Sequence, residues 1–134
     1  QLNVKMLNDP LSNATSLMLN NELIGNHECL LKPVSKVIKE ILNVMKDNGY
    51  IGDFNEIKDR RGNYIKVILI GGINKLGVIK PRYSVKVNEF EKFERRYLPA
   101  KDIGILLVSS PMGIMTHYDA KTKKTGGKLL AYCY

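Results

Sequence analysis

Between Asp9 and Gly25, apolar residues recur at helical spacing. In "NDPLSNATSLMLNNELIG", Leu11, Ala14 and Met18 fall on one face. Asp9 can cap the free amides of a first turn, Pro10 suits the first helical position, and Gly25 is a natural stop. "NHECLLK" reads as a short strand. A second helix follows in "SKVIKEILNVMKDNGY", with Ser35 as its cap. Val37, Ile38, Ile41, Leu42, Val44 and Met45 give it a broad apolar face; Lys36, Lys39, Glu40 and Lys46 belong to the water side. Asn48–Gly49 ends it. The period then changes. "DFNEIKD" alternates and "YIKVILI" is β-branched and apolar, so both predict strands, with "DRRGN" as the hairpin turn between them.

Gly71, Gly72 and Gly77 break the pattern, which makes "GGINKLGVIKPR" a domain junction. Beyond it "YSVKV" restarts a strand, and "NEFEKFERRYLPA" reads as a charged, partly helical connector ended by Pro99. "DIGILLVSS" is the most apolar strand of this half. "IMT" is a short strand, and Thr116 with Asp119 outlines a capping box that starts a short helix, "HYDAKTKK". Gly126 and Gly127 stop that helix, and "KLLAYCY" is a final strand. The expected fold is α+β in two small domains. Residues 1–70 form a helix–strand–helix–strand–strand unit, and residues 71–134 a mostly β unit with one short helix.

Composition narrows the function. The chain has 134 residues, 44% apolar and 25% charged, as expected of a globular protein. No apolar run is long enough for a bilayer, and no basic segment leads into a signal-like apolar one. Cys29 and Cys133 sit in apolar strand-like runs, where a free thiol behaves as a small hydrophobe. His27 and His117 lack ligand-spaced companions, which argues against structural zinc. Charge is uneven. Residues 1–67 carry nine basic and eight acidic side chains, a net of +1; residues 68–134 carry twelve and five, a net of +7. A near-neutral half joined to a strongly basic one points to a polyanion-binding surface on the second half.

Enzymatic motifs are weak. "GYIG" at Gly49–Gly52 has the spacing of a KH-domain loop, but that loop joins two helices and here a strand follows. "KTGGKLL" echoes a phosphate loop, yet Thr122 stands where a glycine is needed and Leu129 where a hydroxyl is needed. No G-x-S-x-G elbow occurs. "SSPMG", Ser109 to Gly113, is either a plain turn or a recognition tip. Basic residues recur through the same half, at Lys80, Arg82, Lys86, Lys121, Lys123, Lys124 and Lys128. Such lysines hold phosphates, and a small hydroxyl-bearing tip suits the wide, shallow minor groove of double-stranded RNA.

Six segments, "KPVSKVI", "MKDNGYIGDF", "INKLGVIKPRY", "LPAKDIGILLVSS", "GIMTHYDA" and "TGGKLL", resemble in the same order those of the universal small-subunit ribosomal protein eight family, most like its archaeal and eukaryotic branch. The resemblance runs from Asn8 to Tyr134. It implies an α/β domain packed beside a mostly β domain. It implies a structural protein of the cytoplasmic small ribosomal subunit that docks on the central domain of small-subunit ribosomal RNA beside neighbouring ribosomal proteins. It implies no catalysis, cofactor, metal, membrane or small-molecule substrate. Carried over, the RNA-entering tip is Ser109, Ser110, Pro111, Met112 and Gly113. The first helix start gives Asp9, Pro10, Ser12 and Asn13, and the second gives Lys32, Ser35 and Lys36. "PRY" gives Arg82 and Tyr83; the late glycine pair gives Gly126 and Gly127 with Lys128, and Lys123 and Lys124 precede it. One departure matters. The third hydroxyl of the family tip is Pro111, which has neither hydroxyl nor amide N–H, so recognition is expected to fall to Ser109, Ser110 and the backbone. The alternative is a protein-interaction module, with "EFEKFERR" as a docking face.

Overall fold

The structure is a computed structural model that describes residues 10–32, 35–60, 62–100 and 103–134. Asp9 lies outside the described residues. The chain divides into two compact units, Gln1–Asn74 and Lys75–Tyr134.

The first unit runs α1 (Pro10–Leu23), β1 (Glu28–Leu31), α2 (Lys36–Asp47), β2 (Ile51–Ile57) and β3 (Tyr64–Leu69). Its sheet has the order β1-β3-β2, all antiparallel. Along β3 every second residue is buried, with Ile65, Val67 and Leu69 turned inward, as period-two alternation dictates for a sheet covered on one face. Helix α1 packs against β1 and α2 against β2. Leu11, Ala14 and Met18 of α1 are buried, and so are Ile38, Ile41, Leu42 and Met45 of α2. The apolar face of α2 is narrower than its sequence indicated, because Val37 is 43% exposed. Ser35 is the α2 cap; its Oγ accepts the Ile38 N–H at 3.1 Å. Lys39 and Lys46 of α2 pair with Glu56 and Asp53 of β2. The Phe54 amide and then Lys46 hold the Asp53 carboxyl below its ordinary range; Lys39 does the same for Glu56.

The second unit contains β4 (Leu76–Val78), β5 (Ser84–Val85), a 3-10 turn (Val87–Glu89), α3 (Phe90–Tyr97), β6 (Ile105–Ser110), β7 (Gly113–Thr116), α4 (His117–Thr122) and β8 (Gly127–Cys133). The charged connector is therefore a 3-10 turn running into an eight-residue helix. Strand β8 is the hub of the sheet. It pairs with β6 along one edge and with β4 and β5 along the other, and β7 adds to the far side of β6. The core gathers Ile79, Val85, Phe90, Phe93, Leu106, Val108 and Leu129, with Tyr83, Tyr97, Tyr132 and Tyr134 packed against it. His117 is fully buried. Its Nδ1 accepts the Leu106 N–H at 3.0 Å, and its Nε2 lies 3.2 Å from Glu94 Oε1. An Nδ1 that accepts leaves the proton of a neutral ring on Nε2. The imidazole thus accepts from β6 and stands beside the Glu94 carboxylate of α3, with which Lys121 pairs.

Three helices end the same way. The Gly25 and Asn26 amides reach back to Glu22 and Asn21, the Gly49 and Tyr50 amides to Lys46 and Met45, and the Lys124 and Thr125 amides to Lys121 and Ala120. This is the Schellman arrangement, which requires a left-handed residue and usually employs glycine. Gly25 and Gly49 supply it at φ 81° and 80°; in α4 the position is Lys124, at φ 53°.

Candidate nucleic-acid interface

Strands β6 and β7 make a tight hairpin. Ser110 pairs with Gly113, leaving Pro111 and Met112 as the two-residue loop. The Ser110 hydroxyl turns inward. It donates to the Gly113 carbonyl at 2.8 Å, accepts the Met112 N–H at 3.2 Å and lies 3.8 Å from Met115 Sδ. The tip is thus closed by one of the two serines expected to face outward. Ser109 is exposed, one position further down β6 and paired with Lys128 of β8.

Beside this hairpin runs an open groove of about 610 Å³. Ser84, Val85, Lys86, Val87 and Glu89 line it with Ser109 and Pro111, and Gly126, Gly127 and Lys128 lie between the strands of the two groups. The glycine pair has a steric cause. A Cβ on Gly126 would sit 2.3 Å from the Val85 carbonyl oxygen, and one on Gly127 would sit 2.4 Å from that of Ser109. Neither approach is possible with a side chain, so the pair lets β8 enter between β5 and β6 and brings Lys128 up beside the tip. The Lys86 N–H donates to Glu89 Oε1 at 2.9 Å, fixing the backbone from which the Lys86 side chain extends.

Other residues expected from the sequence are placed as follows. Lys123 and Lys124 are exposed at the end of α4, just before the glycine pair. Arg82 is exposed. Tyr83 is half-buried, its ring 5.3 Å from that of Phe93 and beneath the Arg96 guanidinium at 5.6 Å; much of its face is committed to packing. In the first unit, Pro10 opens α1, Ser12 and Asn13 lie in its first turn, and Lys32 Nζ stands 5.5 Å from the centre of the Tyr64 ring. The Ser35 hydroxyl is engaged as the helix cap and Lys36 is exposed. The second unit thus brings the tip, Gly126, Gly127 and Lys128 to one groove. Sequence reasoning missed Ser84 as a groove residue; it counted Lys86 among the phosphate-holding cations of this half without assigning it to the site.

A second hollow, of about 470 Å³, lies along α3 between Glu91, Glu94, Arg95, Leu98 and Lys121. Its charges are matched internally: Arg95 holds Glu91 at 2.8 Å and Lys121 holds Glu94. Among the described residues no group of three or more His, Cys, Asp or Glu is arranged to hold a metal, and no helix is long and apolar enough to cross a membrane.

The groove is lined by Lys86, Lys128, Ser84 and Ser109, by the Glu89 carboxylate, by Val85, Val87 and Pro111, and by the two glycines, in a unit holding twelve basic residues against five acidic ones. A basic excess of this size is the electrostatic footprint of a polyanion-binding unit. A family model described as Ribosomal protein S8 matches residues 9–134. The chain belongs to the Ribosomal protein S8 family, whose members are structural, RNA-binding components of the small ribosomal subunit in translation.

Proposed function

We propose that this protein binds the central domain of small-subunit ribosomal RNA through the groove of its second unit, as a member of the archaeal and eukaryotic branch working in the cytoplasm. The carrying observation is the convergence of Lys86, Lys128 and Ser109 on one open groove, with β8 admitted there only because residues 126 and 127 lack side chains. Lysines bind phosphates as point charges and fix the register of the protein on the duplex. Ser109, a small donor and acceptor on the groove wall, reads the 2′-hydroxyls or base edges of a shallow minor groove. Lys123 and Lys124 extend the cationic track towards the same groove. Ser110 acts indirectly, by closing the tip.

Filter binding over a salt series tests this, using a ribosomal RNA fragment of the central domain and a scrambled duplex of equal length. The wild-type protein should prefer the ribosomal fragment. Lys128→Ala should weaken binding to both RNAs and lower the log–log salt slope by about 0.7–0.9. Ser109→Ala should leave the slope unchanged and reduce the preference about five- to tenfold, the equivalent of one net hydrogen bond. Equal affinity of the wild type for both RNAs at moderate salt would refute the reading.

A further inference from the structure

The hairpin tip does not present what its sequence promised. With the Ser110 hydroxyl bonded to the Gly113 carbonyl and the Met112 amide, the groups facing outward are the Pro111 ring and the Met112 side chain. Met112 is 60% exposed, the most exposed large apolar residue described in its unit. Two-residue hairpin loops normally carry glycine, asparagine or aspartate, which need no burial. Here the loop is wholly apolar, and exposed Val87 stands across the groove from Pro111.

We propose that Pro111 and Met112 form an apolar wedge that inserts against the base stack of the bound RNA and opens one base step. The proposal rests on the RNA-binding reading and adds a mode of recognition to it. Methionine is unbranched and polarisable, so it conforms to the face of a base. Proline fixes φ and stiffens the loop, and the Ser110 bonds brace it from behind. Apolar side chains of this kind, flanked by cations on the phosphates, partly unstack duplex steps and favour sequences that open easily. Lys86 and Lys128 lie on the groove beside the wedge, where they can hold the backbone while the step opens. The partner that offers phosphates and an apolar stacked face together is a nucleic acid, which decides against a lipid surface or a protein at this tip.

The experiment uses the full chain and a synthetic RNA duplex copying the segment it protects in hydroxyl-radical footprinting of small-subunit ribosomal RNA. 2-Aminopurine replaces each adenine in turn. At saturating protein, one position should brighten at least about twofold, as unstacking relieves quenching. Met112→Ser should abolish that rise and weaken binding about tenfold, whereas Met112→Leu should retain both. Lys128→Ala should need more protein yet reach the same final brightness. Thermal melts of each variant establish folding, which this exposed position should not affect. If Met112→Ser binds as tightly as the wild type with unchanged fluorescence, the wedge is excluded and the RNA-binding reading stands. If Met112→Ser leaves RNA untouched but loosens a neighbouring protein in reconstituted subunits, the tip is a protein contact and the proposal fails. If the wild type protects no ribosomal segment, the RNA-binding reading itself is lost.

Discussion

Replacing Lys124 by glycine should strengthen the fold and weaken RNA binding at once. Lys124 holds the left-handed position of a Schellman cap at φ 53°, where the other two such caps have Gly25 and Gly49. A side chain in that conformation costs about 1–2 kcal/mol, because Cβ crowds the following carbonyl. Glycine removes the strain but has more freedom to lose on folding, which returns about 0.5 kcal/mol. Loss of a cation at the helix C-terminus returns about 0.3 kcal/mol more at an exposed site. The net expectation is a gain of about 0.2–1.2 kcal/mol, seen as a melting temperature about 1–4 °C higher. In RNA titrations at several salt concentrations, the same variant should lower the log–log slope by about 0.7–0.9. The reciprocal change, Gly49→Lys, should destabilise by a similar amount and leave the slope alone. A Lys124→Gly protein no more stable than the wild type would show that the cap carries no strain. An unchanged slope would remove Lys124 from the RNA contact.

Gly127→Ala should cost about 2–3 kcal/mol, since its Cβ would lie 2.4 Å from the Ser109 carbonyl oxygen and β8 must shift or lose a ladder bond; urea denaturation measures the loss, and a variant as stable as the wild type would contradict the packing. Ser110→Ala should cost about 1 kcal/mol and speed amide exchange at Met112, whose N–H loses its acceptor; unchanged exchange there would mean that the hydroxyl does not close the tip. Burial pushes the Cys29 thiol up to about 11 from its ordinary 9.0, with the Asn21 amide pulling the other way. The folded state thus favours the protonated thiol. Its contribution to stability is whole below pH 9 and is lost as pH rises through about 11. Alkylation at pH 8 should be slow until denaturant is added, and Cys29→Ala should flatten the fall in stability between those pH values; rapid labelling of the native protein would overturn this.

Features set by local chemistry were readable in the sequence. Ser35 and Thr116 cap the helices they precede, accepting from Ile38 and Asp119 amides as their positions demand. The β-branched, apolar run "YIKVILI" was read as a strand, and it is β3. What escaped depended on distant partners. β4 was hidden inside a glycine-rich stretch, because Gly77 reads as a break when it is in fact a clearance: a Cβ there would lie 2.8 Å from the Tyr132 hydroxyl. Helix α3 was anticipated as the helical part of a charged connector, but its extent was obscured by its charges, although Phe90, Phe93 and Tyr97 keep helical spacing. At the site, the basic half and the glycine pair were visible. The inward turn of Ser110 was not, since it depends on a carbonyl three residues on and the bend that brings it near.

The position of β8 in the second sheet also orders events during synthesis. The three-stranded sheet of the first unit has all its strands once Leu69 has been added. In the second unit β4, β5 and β6 all await residues 127–133, which emerge after every one of them. Until then β4 and β5 have no strand to pair with, β6 has only β7, and Lys128 has no groove to border. A nascent chain halted at Thr125 would therefore be a folded first unit trailing an unassembled basic segment. The groove proposed for RNA is complete only as this seven-residue strand slots home.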